Sequence, residues 1–291
     1  MSARATTVAL ACAALVLGAC EGKQTEPGTG APVELKQPAP PLPQTRAEFL
    51  AEVYPLPEGA PGLELRYEVR GEVAEGTYLI QMKPGGYRRE SWKVRWQGID
   101  NPMADEEAVR PLISEGATLV TPSHIWTARK GDPGELRSNH LETFASAWYS
   151  LADDQKASTM AAIREWQSVL AKERLANPGE LATVHGVSCL QTRIAAQNLC
   201  MWEEAGVFLR YEGAVFNVEL VSLDRNPELD EDLFEIPVEA ASRAERVEVE
   251  PLAHEAILDE LTQGKYEAMT GLVAPGTLDA LGAMQPPKPK P

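Results

Sequence analysis

Histidine and cysteine are scarce in this 291-residue chain, with four of each. The histidines, His124, His140, His185 and His254, stand apart, and no two fall at the spacing of a metal-binding pair. His254-Glu255 opens like a zinc-protease helix, but the second ligand would have to be residue 258, which is Leu258. A nucleophile elbow of the Gly-x-Ser-x-Gly type is also missing: Ser188 follows Gly186, yet no glycine stands two residues after it. Asp224 to Glu235 is acidic but lacks the glycine and alternating ligands of a calcium loop, so it reads as a solvated turn. Positive charge is short as well, with 27 Lys+Arg against 43 Asp+Glu and a formal net charge of −16. Such a surface repels nucleic acid and anionic headgroups, which argues against both as partners. These absences point to a protein that is not an enzyme and holds no metal or cofactor.

The N-terminus has a lone Arg4, then an uncharged apolar run from Val8 to Ala19. Twelve residues are too few to span a bilayer as a helix, so residues 1–19 read as a secretory signal rather than an anchor. It ends in Leu17-Gly18-Ala19-Cys20, which resembles the lipobox of bacterial lipoproteins. The resemblance implies that Cys20 is lipidated and becomes the first residue, and that several acyl chains make the attachment stable where one would be marginal. Glu21, where an Asp tends to retain such proteins in the inner membrane, implies the outer membrane, with the protein facing the periplasm or the cell surface.

Residues 20–44 carry Pro27, Pro32, Pro38, Pro40, Pro41 and Pro43 with few large apolar side chains. That composition cannot bury enough surface to fold and stiffens towards polyproline II, so it reads as a tether. Residues 285–291 read as a disordered tail by the same argument. Losing residues 1–19 removes one charge, Arg4, leaving 26 Lys+Arg against 43 Asp+Glu and a formal −17. Cys12 departs with the signal and Cys20 is lipidated, so Cys189 and Cys200 remain in a compartment that oxidises thiols. Ten residues separate them, unlike a C-x-x-C redox pair, and no third ligand is near enough for a metal tetrad. A disulfide is predicted.

Between tether and tail, residues 45–284 read as one domain. Leu63, Leu65, Tyr67 and Val69 alternate with four charged residues, which places them on one face of a strand. Tyr78, Ile80 and Met82 share a face, as do Trp92, Val94 and Trp96, with glycine-rich turns between. Residues 62–97 are thus an antiparallel meander, followed by strands near Thr118–Thr121 and Ile125–Arg129, the second holding Trp126. The period then turns helical. Leu141, Phe144, Trp148 and Leu151, and then Met160, Ile163, Trp166 and Leu170, predict a helical hairpin over about 138–175 that covers the sheet. Strands resume over Leu181–His185, Ser188–Ile194, Leu199–Glu203, Val207–Tyr211 and Val215–Ser222. A last helix is predicted over about 253–269, with Ile257, Leu258, Leu261 and Tyr266 as its apolar residues. The expected class is α+β, with a strongly curved antiparallel sheet around helices.

The run from Thr183 to Pro237 resembles the C-terminal half of the LolA/LolB-like lipoprotein-carrier superfamily. The shared pieces are Cys200-Met201-Trp202, Gly206 to Glu212, Phe216 to Leu220, and a closure from Asn226 to Pro237 that ends Leu233-Phe234-Glu235-Ile236-Pro237. The resemblance implies an incomplete antiparallel barrel wrapped on helices, with an apolar cavity that takes acyl chains. The aromatic strand residues are core in the first place and a ligand wall in the second. The candidate lining is Leu65, Tyr67, Ile80, Met82, Trp92, Val94, Trp96, Trp126, Trp202, Phe216 and Val218. The functional expectation is a non-catalytic, lipid-anchored envelope protein that binds a lipid or acyl group there. The alternative is an envelope scaffold or protein-interaction lipoprotein with a self-filled core.

Overall fold

The computed structural model describes residues 40–97, 112–176, 179–194, 197–248 and 253–265, together with Met269, Gly282 and Met284. The signal, Cys20, most of the tether, Tyr266 and the tail lie outside the described residues. Pro41–Pro291 form one compact unit.

The unit opens with α1 (Arg46–Val53), a helix the apolar periodicity does not announce. Its signature is chemical: Thr45 at the N-cap accepts from the Glu48 backbone N–H, and the Glu48 carboxylate accepts from the Gln44 N–H. Then come β1 (Leu63–Arg70), β2 (Ala74–Lys83), β3 (Tyr87–Trp96), β4 (Leu112–Val120), β5 (His124–Arg129) and β6 (Glu135–Ser138). The hairpin helices are α2 (Leu141–Tyr149) and α3 (Asp153–Ala176). A second set of strands follows: β7 (Leu181–Val184), β8 (Val187–Ile194), β9 (Gln197–Trp202), β10 (Val207–Glu212) and β11 (Asn217–Asp224). A short α4 (Val238–Arg243), β12 (Glu245–Val247) and α5 (His254–Thr262) complete the order.

All the strands belong to one open sheet in the order β12-β6-β5-β4-β3-β2-β1-β11-β10-β9-β8-β7. Among the described residues every pairing is antiparallel except β12 with β6. The class is α+β. Two meanders, β1–β6 and β7–β11, meet at a single seam, where Val69 lies opposite Val218 and Glu68 opposite Glu219. The edges are brief, β7 with four residues and β12 with three.

The inner faces of the two meanders pack against each other. Tyr67, Tyr78, Trp92 and Trp96 from one wing share a buried cluster with Trp202, Val207, Phe208, Tyr211 and Phe216 from the other. Ring centroids of Tyr78 and Phe208 are 5.9 Å apart and those of Trp96 and Phe216 are 5.8 Å apart. In β10 the register against β9 slips between Phe208 and Arg210. That bulge explains three consecutive buried residues, Val207, Phe208 and Leu209, where strict alternation would expose the middle one.

Among the described residues α1, α2, α3 and α5 do not cover this face, contrary to the sequence-based expectation. Leu141, Phe144, Trp148, Met160 and Ile163 are buried with Phe49, Leu50 and Val53 of α1 and Ile257, Leu258 and Leu261 of α5, in a cluster separate from that of the sheet. Phe49 stacks on Trp148 with centroids 4.3 Å apart. The sheet's apolar face is occupied largely by its other wing, with Met284 joining the same cluster, and α1, α2, α3 and α5 satisfy their apolar stripes on one another. They abut the turn between β2 and β3, where the Gly85 N–H donates to the Tyr54 carbonyl at 3.1 Å. Beyond Ile163 no residue of α3 is fully buried, and Leu175 is 83% exposed. Among the described residues no helix is long and apolar enough to cross a membrane.

Cys189 and Cys200 form the disulfide, with Cα atoms 5.2 Å apart and both side chains buried in the sheet's core. On the chain-entropy estimate, Cys189→Ser should cost about 3 kcal/mol, read as a lower midpoint in urea unfolding, while reductant should shift wild type but not the variant.

Candidate functional site

Nine of the candidate lining residues, Leu65, Tyr67, Ile80, Trp92, Val94, Trp96, Trp202, Phe216 and Val218, are between 0% and 4% exposed and belong to one cluster. Met82 packs partly buried at its margin. A cavity wide enough for an acyl chain would leave its walls accessible to a water-sized sphere; these walls are covered by the cluster they belong to, which also takes in Leu56 and Met284. Trp126 does not join them. It pairs with Leu119, which pairs with Arg89, and that row faces away from the Tyr78–Trp92 side. The sequence grouped Trp126 with the other tryptophans because aromatics favour strands; only the register between β4 and β5 fixes its face.

Within the inner face sits a polar set that strand patterning did not single out. Arg88 and Glu90 share the parity of Trp92 and are 3% and 2% exposed. Arg88 Nε lies 2.5 Å from Glu90 Oε1, and Arg88 Nη1 reaches the Gly206 carbonyl of the opposite wing at 3.4 Å. The Tyr78 hydroxyl donates to Glu90 Oε2 through a short bond, and the Tyr67 hydroxyl donates to the Phe208 carbonyl at 2.6 Å. Burial, reinforced by the Glu90 charge, holds the Tyr78 phenol well above its ordinary range, so it stays a donor. The group pins one wing to the other at the bulge of β10. The reason it escaped a reading for apolar alternation is plain: both residues carry charge at positions where the pattern asks for apolar side chains.

The fold also brings together two histidines that are remote in sequence. His140 at the start of α2 and His254 at the start of α5 have ring centroids 5.7 Å apart. His254 is 8% exposed, its Nε2 has no hydrogen-bond partner among the described residues, and burial lowers its pKa. Among the described residues no group of three or more His, Cys, Asp or Glu side chains could hold a metal ion.

The outer face of β1–β5 carries a depression of about 770 Å³. Its floor follows the register from Leu79 to Ser91 to Ala117 to Ala128, a row of mostly small side chains across four strands. Trp126 lines it, with its indole N–H held by the Pro133 carbonyl at 2.9 Å. The segment from Arg225 to Val247 passes from β11 to β6 and contributes Ala240 to the lining. Its Leu-Phe-x-Ile-Pro piece is anchored where Phe234 packs edge-on to Tyr87 at 6.0 Å, beneath the Lys83 ammonium, and where Arg89 donates to the Leu233 carbonyl at 2.9 Å.

Two outcomes follow. Arg88→Met strands the buried Glu90 charge and should cost about 3–5 kcal/mol, whereas the double change Arg88→Met with Glu90→Leu should cost less than either single change; denaturant midpoints of the three variants decide it. His254 has a folded pKa below its unfolded value near 6.5, so the unfolded chain gains the proton first as pH falls. A hydrogen bond to the His140 backbone and the Glu255 carboxylate raise it and the His140 ring lowers it, so burial, the largest cause, sets the direction. Stability should be full at pH 7 and above and decline as pH drops below 6.5, and thermal midpoints of His254→Leu should lose part of that decline.

The chain matches no protein-family model and no curated protein sequence. Its functional reading therefore rests on its own residues and their arrangement.

Proposed function

We propose that this chain is a non-catalytic, lipid-anchored protein of the bacterial outer membrane, a LolA/LolB-like half-barrel with a self-filled core that acts as a scaffold or protein-interaction module. The attachment rests on Leu17-Gly18-Ala19-Cys20 at the end of a signal-like run, with Glu21 following. The choice between the two sequence-based readings rests on one observation: most of the aromatic and aliphatic residues suited to line an acyl cavity are buried in one cluster built largely from the two wings of the same sheet. An acyl chain could enter only by displacing those contacts, at a cost of the order of 1.5–3 kcal/mol for each large side chain re-exposed. The surface then carries the function, with the chain's acidic balance favouring a basic partner surface.

Metabolic labelling with palmitate tests the attachment. Cys20→Ala should lose the label and move to the soluble fraction, and a labelled, membrane-bound variant would refute the anchor. Photocrosslinking in cells from the exposed Val238 and Leu175 should trap the same protein in repeated trials; reproducible lipid adducts, together with lipid co-purifying in native mass spectra, would instead restore the acyl-binding reading.

A further inference from the structure

We infer that the depression on the outer face of β1–β5 is a binding site for an acidic saccharide, a role beyond the anchoring and interaction proposed above. Its volume, about 770 Å³, lies in the range of small-ligand sites. The floor is a channel by construction. Ser91, Ala117 and Ala128 lie side by side on neighbouring strands, so short side chains leave a slot that crosses four strands from Leu79, about 14 Å at ordinary strand spacing. A slot across the strands suits an extended, slender ligand better than a compact one.

The lining also has the mixed chemistry that sugar rings require. Trp126 supplies an aromatic wall for the apolar face of a ring. Glu115 and Asp132 supply acceptors for hydroxyl groups, while Ser91 and Thr77 both donate and accept.

Charge selects an acidic member of the class. Arg89, Lys93 and Lys130 line the depression beside Arg66, which pairs with Glu64, against the carboxylates of Glu115 and Asp132, in a chain whose formal charge is −16. Lys93 and Lys130 share the carboxylate of Glu115, at 3.9 and 3.0 Å. Arg89 is held by a neutral carbonyl, so that contact leaves its charge uncompensated. A cationic slot in an acidic surface concentrates field where an anionic ligand would lie.

Calorimetric titration of the purified protein with trigalacturonate tests this, with maltotriose as the neutral control and dodecanoate as the acyl control. Saturable one-site binding of trigalacturonate is expected, weakening as salt rises from about 0.05 to about 0.5 M, with maltotriose much weaker and dodecanoate not binding. Ala117→Tyr, which fills the slot from a position outside the buried core, should weaken binding by about tenfold or more. Lys93→Gln, on a side chain 64% exposed, should weaken it by roughly threefold without disturbing the fold, so the test survives if the tyrosine variant fails to fold. No saturable binding of trigalacturonate, equal binding of maltotriose, tighter binding of dodecanoate, or unchanged affinity in a correctly folded Ala117→Tyr would overturn the proposal.

Discussion

Two apolar faces on one continuous sheet can both leave water only if the sheet bends until they meet. That constraint organises this molecule. The seam of β1 with β11 makes the two meanders a single sheet, and the aromatic rows on either side of it then become each other's cover. The meeting is fixed by polar contacts as well as by area. Tyr67 and Arg88 each donate to a backbone carbonyl of the opposite wing, those of Phe208 and Gly206, where a bulge has loosened the strand register. Nonspecific burial would permit the wings to slide; hydrogen bonds to particular carbonyls do not.

The helices inherit the consequence. Among the described residues, α1, α2, the first half of α3 and α5 close on their own aromatic stack, Phe49 on Trp148 with Phe144 beside it. The described residues therefore form two buried clusters within one compact unit, joined along the turn of β2 and β3. Gly86 marks that junction, since a Cβ there would meet the Leu141 side chain.

Strands with strict alternation were legible from sequence almost residue by residue, because a period of two has a single physical meaning on a half-buried sheet. Leu63 to Val69 and Phe216 to Leu220 are the clearest cases. The helical hairpin was legible for the same reason at a period of 3.6. What could not be read was which surface each stripe meets. Sequence periodicity reports that Trp126 and Trp92 each occupy a strand, but not that the ladder from β3 through β4 to β5 sends them to opposite faces. Nor does it place His140 against His254, a contact made by the packing of α2 and α5. The short edge elements β6, β12 and α4 carry too few residues for any period to emerge, and α1 announces itself by its cap rather than its stripe.

An open sheet has two free margins, and each is a template on which a foreign strand could add. Here one margin offers the backbone of Leu181–Val184 and the other that of Glu245–Val247. Segments so brief present few of the consecutive donors and acceptors that a growing stack would need. Chains held side by side at high local density would find little to zip together, so the meagre length of its outermost strands protects this large sheet from polymerising.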